Sequence, residues 1–587
     1  MKENKNTLSI RKLYRNIDKI FLLFLTVFFF MEILWAPINS WLAEGLLDMT
    51  GATYLSYTNA VAVFTANPLA SIGLIALFFF NLFLAYIQIG MLFVGTNQIL
   101  VHEQATIKQF IHYTRKETWD LVGHFHPSKA LYLLFYAGLL FPTMRKILQI
   151  HFFEKILLPE FIQTFLFKKP LFALLLTLLL LASIYLAIRL VYSLPQMLFE
   201  KKSVRESVAY SMDKTKGRFW STFWFVLWLL IKGGAFFAFG GILLYLFQIL
   251  ADSFDNLWSF VSAVIVYGLL KFLFYLVTSY FMLRFVSYLV EKPLPDFQPA
   301  FGRRLFRSIF LPLAFLLFAV QGVFTLLLPS GQDTITISHR GVDHENGVQN
   351  TLPSLEKTAA LKPDYIEMDI QETKDGQFVM MHDPNLNALA GIDKKPQELT
   401  LDELTQITVS ENGQEAKIPS FDAYLDLAES MGQKLLIEIK TSPLDSDQMV
   451  ENFLEKYGQR ILAKGHQIHS LDYQVIERVK AYDSKIPVYY ILPYNTIFPR
   501  TQADGYTMEY TTLDDAFIDK AHDRKKGVYT WTINDSEAIL RAFNLGADAI
   551  ITDELTLVQD AIKQQKEDRS YANIILDEVR TYGNLFE

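Results

Sequence analysis

The sequence contains no cysteine. Disulfides, thiol nucleophiles, zinc–thiolate sites and iron–sulfur clusters are excluded with it. A chain without cysteine works on either side of a membrane, so the compartment stays open. A surplus of positive charge is missing too. Lys and Arg total 54 against 61 Asp and Glu, a net charge of −7, and no global basic field points to nucleic acid. What is abundant is apolar surface. Hydrophobic residues make up 51% and aromatics 14%, with a mean hydropathy of +0.21. That composition excludes a disordered chain and is unlike an ordinary soluble enzyme. The 587 residues are about four times a typical ~150-residue domain, so more than one domain is expected.

These averages conceal a division. Residues 1–328 are a series of long apolar runs, and residues 329–333 (Pro-Ser-Gly-Gln-Asp) form a short linker. Residues 334–565 are balanced and globular in composition, followed by a charged tail at 566–587. Seven runs approach the ~20 apolar residues a membrane span needs. They are Ile20–Trp35, Leu69–Val94, Ala130–Pro142, Leu171–Tyr192, Phe219–Leu250, Leu257–Leu289 and Ile309–Leu328. The third is short and ends in proline. Gly233-Gly234 and Gly240-Gly241 offer kink points in the over-long fifth.

Basic residues orient these spans. Lys2, Lys5, Arg11, Lys12, Arg15 and Lys19 precede the first, which places the N-terminus in the cytoplasm. Lys108, Arg115 and Lys116, then Lys201 to Arg218, then Arg303, Arg304 and Arg307 also fall on the inner side by alternation. The segment holding Arg145, Lys146, Lys155, Lys168 and Lys169 dissents. Seven spans then predict a multi-pass cell-membrane protein whose second half is extracellular. Glu32, Arg189, Lys232, Lys271 and Arg284 lie within the spans. Intramembrane charge is a functional candidate by default; snorkelling or pairing inside the bundle is the simpler reading. His102–His124 and Ser203–Phe219 fit helices lying along the inner surface or solvated loops.

The second half alternates short β-rich runs with helical stretches. The runs are Thr334–Ser338, Tyr365–Glu372, Phe378–Met381, Lys434–Ile439, Ile461–Lys464, Pro487–Leu492, Gly505–Glu509, Gly527–Thr532 and Ala549–Thr552. Phe378–Met381 follows the turn signal Lys374-Asp375-Gly376 and reads as a hairpin partner. About eight strand–helix units remain, which predicts a (β/α)8 TIM barrel, with a doubly wound sheet as the alternative. A barrel carries its site at the C-terminal ends of its strands. His339, Arg340 and Gly341 follow the first strand. Glu367 and Asp369, two apart, face one side of the second. His382 and Asp383 end the hairpin, and Glu438 and Lys440 end the next strand.

The chemistry of this set is specific. Glu367, Asp369 and Glu438 are hard oxygen ligands suited to one divalent cation, Ca²⁺ or Mg²⁺. Arg340 presents a planar fork matching phosphate oxygens, and His339 and His382 can exchange protons near neutral pH. A cation, an arginine and two histidines describe phosphodiester cleavage better than glycoside hydrolysis. His344, His466, His469 and His522 are assigned to structure or solvent, although His466 and His469 can line the pocket.

In order, His339-Arg340-Gly341, Asn350-Thr351, Glu367-x-Asp369, His382-Asp383 and Glu438-x-Lys440 resemble the glycerophosphodiester phosphodiesterase family. Thr530-Trp531-Thr532 and the run from Gly546 to Asp553 resemble its closing motifs, and the first half is similar to the membrane domain of some Gram-positive members. The resemblance implies hydrolysis of glycerophosphodiesters to glycerol 3-phosphate and an alcohol. It implies metal binding by Glu367, Asp369 and Glu438, an acid–base pair of His339 and His382, and phosphate binding by Arg340 and Lys440. The family's usual Pro-Glu-Asn-Thr is here Val348-Gln349-Asn350-Thr351, an amide in place of the acid. Two other readings stand beside this one. One is a lipid-handling or transport protein with the barrel as an accessory binding module. The other is a hydrolase of intact phospholipid or of glycerol-phosphate wall polymer.

Overall fold

The computed structural model describes residues 10–56, 59–139, 159–167, 169–293, 301–327, 334–567 and 570–583. Six described helices are long and apolar enough to cross a membrane: Arg15–Asp48, Pro68–Val101, Pro170–Leu190, Phe219–Asp252, Asn256–Leu289 and Phe301–Leu327. They match six of the expected runs. The remaining run, Ala130–Pro142, begins in the helix Pro127–Leu139 and continues into residues outside those described. The expected linker at 329–333 also lies outside them.

The first helix runs past its expected end at Trp35. A π-helical stretch, Phe29–Trp35, leads into Ala36–Asp48, where Pro37 sits in the first turn. The helical run is continuous there, so the missing N–H and the ring of Pro37 disrupt the i→i−4 ladder, and a π-type turn just before it accommodates them. The 34 residues of Arg15–Asp48 rise ~51 Å at ~1.5 Å each, more than the ~30 Å of hydrocarbon that one perpendicular crossing needs. Among the shorter elements, Thr106 caps Ile107–Gly123 and Ser203 caps Val204–Lys214, each by a reciprocal hydrogen-bonded box.

Close approach and a buried charge pair both tie the bundle together. Arg303 donates to both oxygens of Asp18 at 2.7 and 2.8 Å, tying the last span to the first. Gly240 and Gly241 lie in an unbroken helix and act by proximity. A Cβ on Gly240 would stand 2.6 Å from Leu273, and one on Gly241 would stand 2.8 Å from Val579. Val579 belongs to the C-terminal helix Tyr571–Gly583, which returns to the membrane half and packs on Phe219–Asp252 and Asn256–Leu289. The N–H of Ala572 donates to Asp252 at 2.8 Å, and the ring of Tyr582 lies 4.9 Å from Phe274. Lys271 donates to the Tyr582 hydroxyl. The tail therefore finds its partner in its own chain, and Lys271 is paired within the bundle.

The second half contains eleven described strands: β1 (Ile335–Ser338), β2 (Tyr365–Glu372), β3 (Phe378–Met380), β4 (Thr408–Glu411), β5 (Gln414–Lys417), β6 (Leu435–Ile439), β7 (Gln467–Ser470), β8 (Val488–Leu492), β9 (Gly505–Glu509), β10 (Gly527–Trp531) and β11 (Ala549–Thr552). Eight are parallel and run in the order β1-β11-β10-β9-β8-β7-β6-β2, and β1 pairs with β2 to close the barrel. That pairing excludes the doubly wound alternative. β3 pairs antiparallel on β2, as the turn signal requires. The strand expected at Ile461–Lys464 is instead the end of the helix Met449–Lys464. Gly465, at φ +70°, caps that helix, and β7 starts two residues later. The β4–β5 hairpin was not anticipated, because its alternation is half-exposed and polar.

The lower interior is filled by Ile337, Leu436, Tyr489, Tyr529, Ala549 and Ile551. Tyr489 and Tyr529 stack at 4.1 Å between ring centres. This plug leaves the polar residues at the opposite mouth. The barrel rests on two segments of the membrane half. Glu44 meets Arg500 at 2.9 Å, Lys520 at 2.8 Å and Arg524 at 3.5 Å. The Arg500 N–H donates to Thr53 at 2.7 Å, and Tyr54 packs on Tyr473 and Tyr490. At the mouth, the N–H of Glu160 donates to Glu509 at 3.2 Å, and Phe161 lies 5.5 Å from Trp531.

Candidate active site

Strand register assembles the centre of the site. Asp369 on β2 pairs with Glu438 on β6, and Glu438 pairs with His469 on β7. Residues paired in register on adjacent parallel strands share a face, so the three side chains form one row inside the barrel. Glu367 shares their face one pleat earlier. Glu367, Glu438 and His469 offer ligand atoms within 4.8 Å of one another, and all three are buried. Asp369 is fully buried beside them. Its Oδ2 accepts from Asn350 at 2.8 Å, and its Oδ1 lies 3.1 Å from Lys440 Nζ. Lys440 also donates to Glu438 at 2.8 Å.

Burial and charge oppose each other here. Burial would raise the Asp369 carboxyl, but Lys440, then His382 and Arg340, hold it well below the usual range. Burial would likewise lower the Lys440 ammonium, but Glu438 and Asp369 raise it instead. An opposite charge within a few ångströms outweighs desolvation when it is also desolvated.

Two histidines flank this row, each tethered through Nδ1. His339 meets Asp553 at 2.7 Å, and His382 meets Asp383 at 2.8 Å. An ionised carboxylate only accepts, so Nδ1 carries the proton and Nε2 is left for substrate. Burial works against charge on His339, but Asp553 outweighs it and raises the imidazole. The same pair holds the Asp553 carboxyl far below its ordinary value against its own burial. The hydrogen bond from His382 is the main cause lowering Asp383. Gln371 gathers the His382 strand end by donating to the carbonyls of Met381, His382 and Asp383.

Arg340 sits at φ +52° and Asn350 at φ +58°, left-handed conformations fixed here by the hydrogen bonds of their surroundings. The Arg340 N–H donates to Glu367 at 2.8 Å, and its carbonyl accepts from the Asn350 N–H at 2.8 Å. Gly341 follows at φ +68°, and a Cβ there would stand 2.6 Å from the Tyr424 hydroxyl. The Arg340 guanidinium donates to Gln349 Oε1 at 2.8 Å. Gln349 in turn donates to both oxygens of Glu411, at 2.7 Å from its side chain and 3.0 Å from its backbone. The amide thus relays to a carboxylate supplied by the β4–β5 hairpin.

All seven residues expected from the sequence lie at this mouth. Asp553 and Glu411 were not expected to act there. Asp553 directly follows β11, where the strand-end rule applies to it as it does to His339. His469 was assigned first to structure or solvent, with the pocket as the second reading; it lies on β7 in register with Glu438 and faces the pocket, whereas His466 bonds to the Leu435 N–H. Glu411 had no signal, because only the folded hairpin brings it to Gln349.

Comparison with known proteins accords with this geometry. Residues 7–323 match the family model described as the membrane domain of glycerophosphoryl diester phosphodiesterase, and residues 339–557 match the glycerophosphoryl diester phosphodiesterase family. A glycerophosphodiester phosphodiesterase of Caldanaerobacter subterraneus is 23% identical over 230 residues, covering 38% of this chain and 94% of that protein. A human protein named lysophospholipase D GDPD1 is 22% identical over 271 residues, covering 38% of this chain and 84% of its own. A solved Oleispira antarctica phosphodiesterase, in complex with the product sn-glycerol-3-phosphate, is 22% identical, with a TM-score of 0.35, covering 39% of this chain and 96% of that one. The chain belongs to the glycerophosphodiester phosphodiesterase family, as a phosphoric diester hydrolase whose barrel follows an integral membrane domain.

Proposed function

We propose that the barrel hydrolyses glycerophosphodiesters to glycerol 3-phosphate and an alcohol, at an extracellular site held against the membrane. The observation that carries this reading is the pair of Nδ1-tethered histidines on either side of a buried carboxylate row. Arg340 and Lys440 face the phosphate and offset its charge. One imidazole takes the proton of the attacking glycerol 2-hydroxyl at Nε2, and the other gives a proton to the departing alkoxide. The resulting cyclic phosphate is opened by water with the two roles exchanged. His339 and His382 fill these roles, and Asp553 and Asp383 keep each Nε2 turned to the substrate.

The residues also fit one divalent cation. Glu367, Asp369 and Glu438 are buried acids gathered on one face of the barrel interior, which favours a bound positive charge. Bound there, a cation would supply electrophilic stabilisation of charge developing on the phosphate and lower the hydroxyl pKa.

Two contacts support a substrate met at the membrane surface. Phe161 lies against Trp531, and Glu160 donates to Glu509, so a membrane-half segment borders the mouth. Alternation places that segment and residues 36–56 on the outer side, which supports an extracellular barrel. This favours lipid-borne or polymer-borne glycerophosphate beside soluble diesters.

The test is glycerol phosphate release by the full chain in lipid nanodiscs: glycerol 3-phosphate from glycerophosphoglycerol, and the headgroup's glycerol phosphate from phosphatidylglycerol. Glycerophosphoglycerol and phosphatidylglycerol are compared with Ca²⁺, with Mg²⁺ and with chelator, beside a Glu367→Ala, Asp369→Ala double variant. Cation-dependent release that the variant abolishes is expected. No release from either substrate, with lipid movement retained, would overturn the hydrolase reading in favour of lipid handling. Orientation is read separately. A single cysteine at exposed Lys485, in a chain with no other, is expected to react with an impermeant maleimide on intact cells.

A further inference from the structure

We infer that His469 binds the catalytic cation through a ring nitrogen, completing the carboxylate set and turning the site toward first-row transition ions over Ca²⁺ and Mg²⁺. The inference rests on the proposed metal-assisted reading and adds a ligand and a selectivity to it.

His469 is 3% exposed. Neither ring nitrogen has a hydrogen-bond partner among the described residues. A buried imidazole in that state is rare, because each polar atom left unsatisfied carries its full desolvation penalty. The neighbouring His466 has one ring nitrogen satisfied and leaves only its Nε2 without a hydrogen-bond partner among the described residues. Its Nδ1 accepts the Leu435 N–H at 2.9 Å, and burial lowers it to about 4. His469 points the other way. Its Nε2 stands 3.5 Å from Glu367 Oε1, beyond good hydrogen-bond length. It also belongs to the group with Glu367 and Glu438 whose ligand atoms lie within 4.8 Å of one another. Atoms gathered this closely need move only a few tenths of an ångström to share one ion, since bonds of about 2.0–2.2 Å keep any two ligand atoms within ~4.4 Å.

The register makes this placement rigid. Glu438 and His469 are paired across β6 and β7, so the nitrogen comes from a strand beside the carboxylates. Asp369 is less free to bind directly, because Asn350 and Lys440 already engage it. Ca²⁺ and Mg²⁺ take oxygen ligands almost exclusively, whereas imidazole with carboxylate suits first-row transition ions. The chain offers no thiolate that would favour softer metals.

The test uses the full chain in nanodiscs with Mn²⁺ as probe. Electron spin-echo spectroscopy of the bound ion is expected to show coupling to ¹⁴N from a directly bound imidazole. His469→Gln should remove that coupling and weaken Mn²⁺ binding tenfold or more. Mg²⁺ affinity should change less than threefold. His466→Gln, judged folded by its melting transition, should leave the coupling in place. Bound Mn²⁺ without nitrogen coupling in the unaltered protein would overturn the inference. So would equal loss of Mn²⁺ and Mg²⁺ binding in the folded His469→Gln variant. The two readings fail separately. Nitrogen-coupled Mn²⁺ without phosphodiester cleavage would sink the hydrolase reading alone. Cleavage with an all-oxygen ion would sink only this inference.

Discussion

Asp553 accepts from His339 at 2.7 Å across 214 residues of sequence. The contact joins the last strand of the barrel to the first, so closure of the sheet and alignment of an imidazole are one event. Asp553→Asn keeps the shape and removes the charge. Activity is expected to fall about 10²–10⁴-fold, the usual range for a general acid or base. The sign of the pH effect follows from Asp553 raising His339. Without that carboxylate the imidazole pKa drops, and the limb of the kcat/KM profile that it governs moves to lower pH. A limb that stays put would assign that titration elsewhere. The pair's stability follows the same logic. His339's share is complete below its ordinary 6.5 and fades as pH rises through the raised value. Asp553's share is complete above its ordinary 3.8 and fades as pH falls through the depressed value.

Gln349→Glu restores the residue usual in the family and is expected to harm this enzyme. The new carboxylate would face Glu411, which now accepts two hydrogen bonds from Gln349. Arg340 would lose its alignment, costing about 1–3 kcal/mol of transition-state binding, or roughly 5–150-fold in kcat/KM. Adding Glu411→Gln should recover most of the loss. A double variant no better than the single one would refute the relay.

Arg303 and Asp18 are buried together in the bundle. Removing one partner strands the other, which costs about 3–5 kcal/mol. Arg303→Met should therefore destabilise the detergent-solubilised protein strongly. The double variant with Asp18→Asn should melt closer to the unaltered chain. Thermal unfolding of the four proteins measures the coupling.

Gly241→Leu is expected to expel the helix Tyr571–Gly583 from the bundle, because the added side chain enters the space of Val579. Protease cleavage between 567 and 571 should accelerate. Val579→Ala on the same background should slow it again, since Ala leaves room at that contact. Unchanged cleavage in Gly241→Leu would show that the helix is held elsewhere.

Most of the barrel was legible because its strands are short apolar runs between helices of matching length. Tyr365–Glu372 and Gly505–Glu509 coincide with the strands observed. The failure at Ile461–Lys464 has a local cause. Ile-Leu-Ala-Lys ends an amphipathic helix whose apolar face is Phe453, Leu454, Tyr457 and Ile461, and four residues cannot distinguish a period of 3.6 from one of 2. That error displaced β7, so His466 and His469 could not be told apart as pocket residues. In the membrane half, hydropathy located the spans, but it carried no sign that the tail would pack on two of them.

By itself the sequence determined the division into membrane bundle and barrel, the strands that bear Glu367, Asp369 and Glu438, and the placing of His339 and His382 at strand ends. Those features are local: they follow from hydropathy over ~20 residues, from alternation within a strand and from motif order. Only the tertiary structure decided that Asp553 would orient His339, that Glu411 would stand behind Gln349, and that His469 would join the carboxylates. Each of those contacts depends on barrel closure, strand register or hairpin docking, and these are set by packing summed over the whole domain.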